Sequence, residues 1–202
     1  MKIAEILLKT QALKVNCDEK FIFASGIESP IYCDNRTLIS FVMEREIIVE
    51  RFIERIKSLD FKFDAICATA TAGIPWGSFI AQELKLPLLY VRSGEKSHGL
   101  KKLIEGNTQN IKSVIVIEDL ISTGKSSIDV CNTLKSQDIN PKSVLSIFDY
   151  GLKRSKEKFS SINQPYQSLT GLDELCKYAL ESNLLTQKDT DIILEWKNSI
   201  NS

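Results

Sequence analysis

The chain has 202 residues, the size of one domain with at most a small appendage. Its 26 Lys and Arg balance its 26 Asp and Glu, which excludes the basic excess that a general nucleic-acid binder uses against phosphates. With 43% hydrophobic and 26% charged residues the chain can build a core, so disorder as its main state is excluded as well.

In chain order, the spacing of Ile3, Ile6, Leu7 and Leu13 predicts a helix over about 2–14. Phe21-Ile22-Phe23 and Ile31-Tyr32-Cys33 flank Ser25-Gly26-Ile27-Glu28-Ser29-Pro30, which reads as two short strands around a turn. Ile48, Phe52, Ile56 and Leu59 share one face of a helix over 40–59. An apolar strand follows at 64–68, then a helix over 73–85 with Pro75 in its first turn, then a strand at 88–91. Residues 92–112 are polar, basic and without periodicity, and a loop of that length inside a domain is commonly functional. Its charges, Arg92, Lys96, His98, Lys101 and Lys102 against Glu95 and Glu105, favour an anionic ligand. The strand expected at 113–117 has no polar alternation and should be buried on both faces. A helix over 126–137 and a strand at 143–148 come next. The stretch 170–200 reads as helical, with capping boxes at Thr170/Asp173 and Thr186/Asp189. Strands alternating with helices in this way imply an α/β fold, a parallel sheet with helices on both faces.

No run approaches the roughly 18 uncharged apolar residues of a membrane helix, and the opening Met1-Lys2-Ile3-Ala4-Glu5 does not read as a secretory signal. Cys17, Cys33, Cys67, Cys131 and Cys176 are scattered, with no C-x-x-C pair. Reduced thiols in a cytoplasmic protein are expected, not a zinc site or a disulfide framework. His98 is the single histidine, which excludes a multi-histidine metal site.

The chemistry concentrates in Val114 to Ser127, where an apolar strand runs into Glu118 and Asp119, then a small-residue turn, then a helix. The turn and the helix start offer backbone N–H groups and hydroxyls to a phosphate. Two carboxylates beside that cradle suit a polyol, whose hydroxyls they accept, so the site is shaped for a sugar phosphate. Its place beyond a strand C-terminus fits ligand binding by open α/β sheets. Gly124-Lys125-Ser126 also ends a nucleoside-triphosphate P-loop pattern. Asp119 stands where that pattern needs glycine, and both acids would repel a triphosphate unless a metal intervened.

Residues 118–126 resemble the phosphoribosyl-diphosphate signature of the type I phosphoribosyltransferases: two acids, two apolar residues, then Ser-Thr-Gly and small residues. Three further segments are similar to the orotate phosphoribosyltransferases, in that family's order over about 23–126. They are Phe23-Ala24-Ser25-Gly26-Ile27-Glu28-Ser29-Pro30-Ile31-Tyr32-Cys33-Asp34-Asn35-Arg36, Ala68-Thr69-Ala70-Thr71-Ala72-Gly73-Ile74-Pro75, and Tyr90 through His98 and Gly99 to Gly106.

The resemblance implies a type I phosphoribosyltransferase fold. A central parallel sheet is flanked by helices in one domain over 1–202, with about 1–40 contributing a base-binding hood. It implies transfer of the phosphoribosyl group from 5-phosphoribosyl 1-diphosphate to orotate, giving orotidine 5′-phosphate and diphosphate in pyrimidine biosynthesis. Mg²⁺ would be held mainly through the substrate diphosphate, with no protein metal ligands. The partners implied are these small molecules and a second copy, in a homodimer with shared active sites where the loop of one subunit closes over the ligand of the other. No nucleic acid and no membrane is implied. Glu118 and Asp119 would hold the ribose hydroxyls. The run Leu120, Ile121, Ser122, Thr123, Gly124, Lys125 and Ser126 would bind the 5′-phosphate side, with Ser122 also reaching orotate. Arg92, Lys96 and His98 would reach the diphosphate; Lys96, His98 and Asp119 are the implied catalytic residues. Thr71, Ala72 and Gly73 would give the diphosphate their N–H groups, the glycine permitting close approach. Ser25, Gly26 and Tyr32 lie on the orotate side. Ser93, Ala72 and Ala24 stand where many family members carry basic residues, and Lys125 stands where a small residue is usual. A transferase of the same fold acting on a purine, and a non-catalytic sensor of phosphoribosyl diphosphate, are the competing readings.

Overall fold

Apolar strands without polar alternation need cover on both faces. The structure, a computed structural model describing residues 1–22, 26, 28–92 and 103–200, supplies it with helices on each side of one sheet. The strands of that sheet are β5 (Ala65–Thr69), β6 (Leu88–Val91), β7 (Ile104–Glu105), β8 (Ser113–Ile121), β9 (Asn140–Asp149) and β10 (Tyr166–Gly171). Their spatial order is β10-β9-β8-β5-β6-β7, parallel throughout except for β7, which runs antiparallel to β6. From β5 the chain crosses through α3 (Gly73–Leu84) to β6 on one side. From β8 it crosses through α4 (Lys125–Lys135) to β9, and through α5 (Lys153–Ser161) to β10, on the other. The winding therefore reverses between β5 and β8, and ligands of open α/β sheets bind in the crevice at such a reversal.

Successive strand residues point to opposite faces. Ile115 and Ile117 of β8 join Trp76 and Ile80 of α3, whereas Val114 and Val116 join Val130, Cys131 and Leu134 of α4. The first face is also covered by α1 (Ile3–Lys9), α2 (Val42–Lys57), α6 (Leu172–Glu181) and α7 (Gln187–Ser199).

The N-terminal lobe is built from two small antiparallel strand pairs and a 3-10 helix at Asn35–Ser40. β1 (Leu13–Val15) pairs with β4 (Ile31–Cys33), and β2 (Phe21–Ile22) pairs with β3 (Glu28–Ser29). The strands expected around the 25–30 turn are thus not each other's partners. The helix expected over 2–14 stops at Lys9, because Gln11 takes a positive φ and residues 13–15 find a strand partner in β4. The C-terminal helix ties this lobe down: the Trp196 indole Nε1 donates to the Glu28 carbonyl at 2.7 Å.

Other expectations changed at their ends. β8 continues past residue 117 to Ile121, because β9 offers backbone partners as far as Asp149. The carboxylates therefore lie within the strand instead of after it. Residues 149–169, for which no element was expected, hold α5 and most of β10; α5 buries only Ser155 and Phe159 of its nine residues, too weak a period to read. Thr170 belongs to β10 and donates to Glu174 Oε2, while Gly171 stands at the cap of α6, so the first expected capping box does not form. The second does: Thr186 and Asp189 exchange both bonds at the start of α7.

Candidate active site

The end of β8 directs its two carboxylates to different neighbours. Glu118 is buried, and its Oε2 accepts from Ser126 Oγ at 3.1 Å and Ser127 Oγ at 3.0 Å, both in the first turn of α4. Its Oε1 accepts from the Asp119 backbone N–H at 3.1 Å. Asp119 is half-buried and lies within electrostatic reach of Arg36 and Cys33 in the N-terminal lobe. Burial, followed by the neighbouring Asp119 charge, pushes the Glu118 carboxyl well above the usual carboxylate range. Burial also raises Asp119, against hydrogen bonds that favour its charged form. Two adjacent buried carboxylates resist carrying two charges, and the upward push is greater on Glu118, the more buried of the two.

Beyond β8, Ser122 and Thr123 are half-buried and lead to Gly124. Gly124 has φ +73, and a Cβ there would stand 2.9 Å from the Phe159 ring, so both backbone and packing require glycine. No side chain caps α4, which leaves the N–H groups of its first turn open to an anion. Lys125 is exposed at the first helical position, and Ser126 is exposed beside it. Leu120 and Ile121 do not face this cradle with their side chains. Leu120 packs against the α3-side core and Ile121 is fully buried, its carbonyl accepting from the Tyr150 N–H.

Across the reversal, β5 ends at Thr69, whose Oγ1 is buried with no partner among the described residues. The Ala70–Thr71 peptide is cis, Thr71 is exposed and Ala72 is half-buried. Gly73 is buried, and a Cβ on it would lie 2.5 Å from the Ile117 carbonyl oxygen. Its missing side chain therefore serves first to seat α3 against β8, a role that ligand approach alone did not suggest. Arg92 is exposed; its backbone N–H donates to Leu103 and its guanidinium meets Glu105 at 3.4 Å. Lys96, His98 and Ser25 lie outside the described residues, as do Ala24 and Ser93.

The N-terminal lobe reaches the strand end through residues not singled out from sequence. Asn35 is fully buried; its Nδ2 donates to the Asp119 carbonyl at 2.7 Å and its Oδ1 accepts from Cys33 Sγ. The Tyr150 hydroxyl is hydrogen-bonded to the Cys33 backbone, and its ring packs edge-on against Trp196. Tyr32 is exposed on β4 with its ring beside Phe21, and Gly26 is exposed with φ +80. In the sequence Asn35 and Arg36 stood only as the end of the 23–36 segment that carries the family resemblance, with no role assigned to either. The assembled crevice offers an open helix start, a carboxylate pair and an aromatic lobe side by side. Such an arrangement has the chemistry to suit a phosphorylated sugar next to a flat ring.

Residues 42–162 match the phosphoribosyl transferase domain family. The orotate phosphoribosyltransferase of Fusobacterium nucleatum is 41% identical over 201 residues, covering 98% of this chain and 95% of that protein. Among solved structures, UMP synthase from Leishmania donovani superposes with a TM-score of 0.82 at 24% identity, over 98% of this chain, which spans 42% of that longer protein. The orotate phosphoribosyltransferase of Aeropyrum pernix gives 0.72 at 24% identity, over 87% of this chain and 98% of the other. These two superpositions show the fold. The family match and the full-length identity go further, and the chain belongs to the phosphoribosyl transferases, and within them to the orotate phosphoribosyltransferases.

Proposed function

We infer that the crevice between β5 and β8 transfers the phosphoribosyl group of 5-phosphoribosyl 1-diphosphate to orotate, releasing diphosphate and forming orotidine 5′-phosphate. The observation that carries this reading is the carboxylate pair Glu118–Asp119, set between the uncapped start of α4 and the N-terminal lobe. The α4 amides with Ser122 to Ser126 hold the 5′-phosphate, and the helix dipole favours its charge. The pair accepts from the ribose hydroxyls. As orotate nitrogen attacks and diphosphate leaves, positive charge develops on the ribose ring, and ionised carboxylates beside it lower that barrier. Tyr32, with Ser25 and Gly26, serves the base side, making residues 1–40 the hood. Thr71 to Gly73 and Arg92, Lys96 and His98 serve the diphosphate, and Lys96 and His98 join Asp119 as the catalytic side chains.

Oxygen donors of this kind suit Mg²⁺, which takes one or two carboxylates and completes its shell with substrate phosphates and water. The ion would be held mainly by the diphosphate, with Asp119 as the accessible carboxylate beside it. When bound, the ion offsets the charge of the leaving diphosphate. The working form is a homodimer in which the 92–106 segment of one subunit serves the site of the other. The five unpaired thiols suit the reducing cytoplasm; among the described residues no helix is long and apolar enough to cross a membrane.

One assay tests the reaction: purified protein with Mg²⁺, phosphoribosyl diphosphate and a panel of bases, followed spectrophotometrically. Orotate should be consumed only with both other components present. A purine consumed while orotate stays inert would refute the reading.

A further inference from the structure

Orotate is a pyrimidine bearing a carboxylate on the carbon next to the nitrogen that attacks the sugar. That carboxylate must come to rest beside the anomeric carbon, one ring position from the new bond. A protein cation reading it has to stand close to the ribose carboxylates, yet on the base side of them.

Arg36 stands there. It follows Asn35, whose Nδ2 is anchored on the Asp119 carbonyl at 2.7 Å, so the 3-10 helix carries it directly to the end of β8. Its charge acts on both Asp119 and Tyr32. Its guanidinium is already oriented: Nε donates to Asp34 Oδ1 at 2.6 Å and Nη2 to Asp34 Oδ2 at 2.9 Å. A guanidinium has five N–H donors in a fixed plane. Asp34 takes the Nε edge, which leaves the Nη1–Nη2 edge for a second carboxylate in the same fork geometry. With the side chain 64% exposed, that edge has access to solvent and ligand.

We propose that Arg36 is the specificity residue that pairs with the carboxylate of orotate, held in position by Asp34. The inference rests on the proposed reaction and on the N-terminal lobe as its base side. Stability gives Arg36 no other reason to be there. Asp34 already accepts from the Arg36 backbone N–H as the cap of the 3-10 helix, and an ion pair this exposed adds little to folding. The surroundings favour the role. Lys14 faces Tyr32 directly across the β1–β4 pair and its charge reaches Asp34, so a second cation offsets the acid that holds Arg36. A fork fixed in advance also loses less side-chain freedom on binding.

The test compares orotidine 5′-phosphate with uridine 5′-phosphate, which differ by this one carboxylate, as inhibitors competing with phosphoribosyl diphosphate. Arg36→Met should weaken inhibition by orotidine 5′-phosphate about tenfold to a hundredfold, the range of a charged hydrogen-bonded pair. It should leave uridine 5′-phosphate within about twofold. Arg36→Lys should fall between wild type and Arg36→Met for the first nucleotide, because it keeps the charge and loses the fork. Equal losses for both nucleotides would mean that Arg36 acts on the sugar phosphate or on the fold, and no loss for either would mean that it acts on neither; each overturns the proposal. A wild-type protein that consumes no orotate overturns the reaction itself. Wild-type turnover of orotate with an indifferent Arg36→Met overturns only the residue.

Discussion

Gly73→Ala isolates the contact that sets the two halves of the crevice against each other. The added Cβ would lie 2.5 Å from the Ile117 carbonyl oxygen and 3.5 Å from the Glu118 Cα. Both are backbone atoms of a buried strand, so neither can turn aside. Ordinary contact needs about 3.5 Å, so α3 has to retreat by about 1 Å. Alanine improves helix propensity by roughly 0.5–1 kcal/mol, but overpacking of this kind costs about 1–3 kcal/mol. For a chain of this size a net loss of about 1–2 kcal/mol lowers the thermal midpoint of the ligand-free protein by roughly 2–8 °C. The same retreat moves Thr71 and Ala72 relative to Glu118 and Asp119. A misplacement of about 1 Å in an aligned site lowers kcat/KM for phosphoribosyl diphosphate by up to about a hundredfold. Differential scanning fluorimetry and initial rates measure the two effects. If glycine mattered only for the approach of a ligand, the ligand-free midpoint would not move. An unchanged midpoint with reduced activity would therefore refute the packing argument, and an unchanged midpoint with unchanged activity would refute both.

Asn35→Ala strips the donor from the Asp119 carbonyl and the acceptor from Cys33 Sγ, and should cost about 1–3 kcal/mol in chemical denaturation. It should also raise KM for orotate, and a variant as stable as wild type would show that the tie is idle. Glu118 has its folded pKa held above the unfolded value of about 4.3. Its contribution to stability is therefore full below that value and is lost as pH rises through the folded one. Glu118→Gln removes this loss: its ligand-free midpoint should fall less than wild type's between about pH 5 and about pH 9, while kcat/KM drops at least about tenfold. Parallel midpoint curves would count against the upward shift of the Glu118 carboxyl. Mixing Lys96→Ala with Asp119→Asn, each inactive alone, should restore up to about one quarter of wild-type activity after subunit exchange, because half the dimers are mixed and each has one intact site. Exchange without recovery would rule out shared sites.

The strand-turn-helix at 114–127 was legible because its signals are local. An apolar run, two acids, a glycine and a helical period sit within fourteen residues, and the structure puts Gly124 at a positive φ where the helix begins. The same holds for the capping box at Thr186 and Asp189, three residues apart. Thr170 and Asp173 had the same spacing and failed, because β9 recruits Thr170 into a strand before the helix can claim it as a cap. Leu13 fitted the helical period of the N-terminus and went to β4 for a similar reason. Local propensity decides where no long-range partner competes for the backbone; elsewhere the partner decides.

By itself the sequence determined the α/β class, the alternation of strands and helices from residue 64 to 148, and the phosphate cradle with its two acids. Each depends on periodicity or on residue types close together in the chain. Tertiary structure alone decided which strands are neighbours, and hence that the winding reverses between β5 and β8. It decided that Gly73 is needed for packing against Ile117, that Ile121 faces the core, and that Asn35 reaches 84 positions along the chain to hold Asp119. It also separated two adjacent acids, burying Glu118 against the serines of α4 while leaving Asp119 half-open near Arg36. The physical reason is common to all five. Burial and hydrogen-bond partners are properties of what the rest of the chain brings to a residue, and no local pattern encodes the arrival of a distant strand.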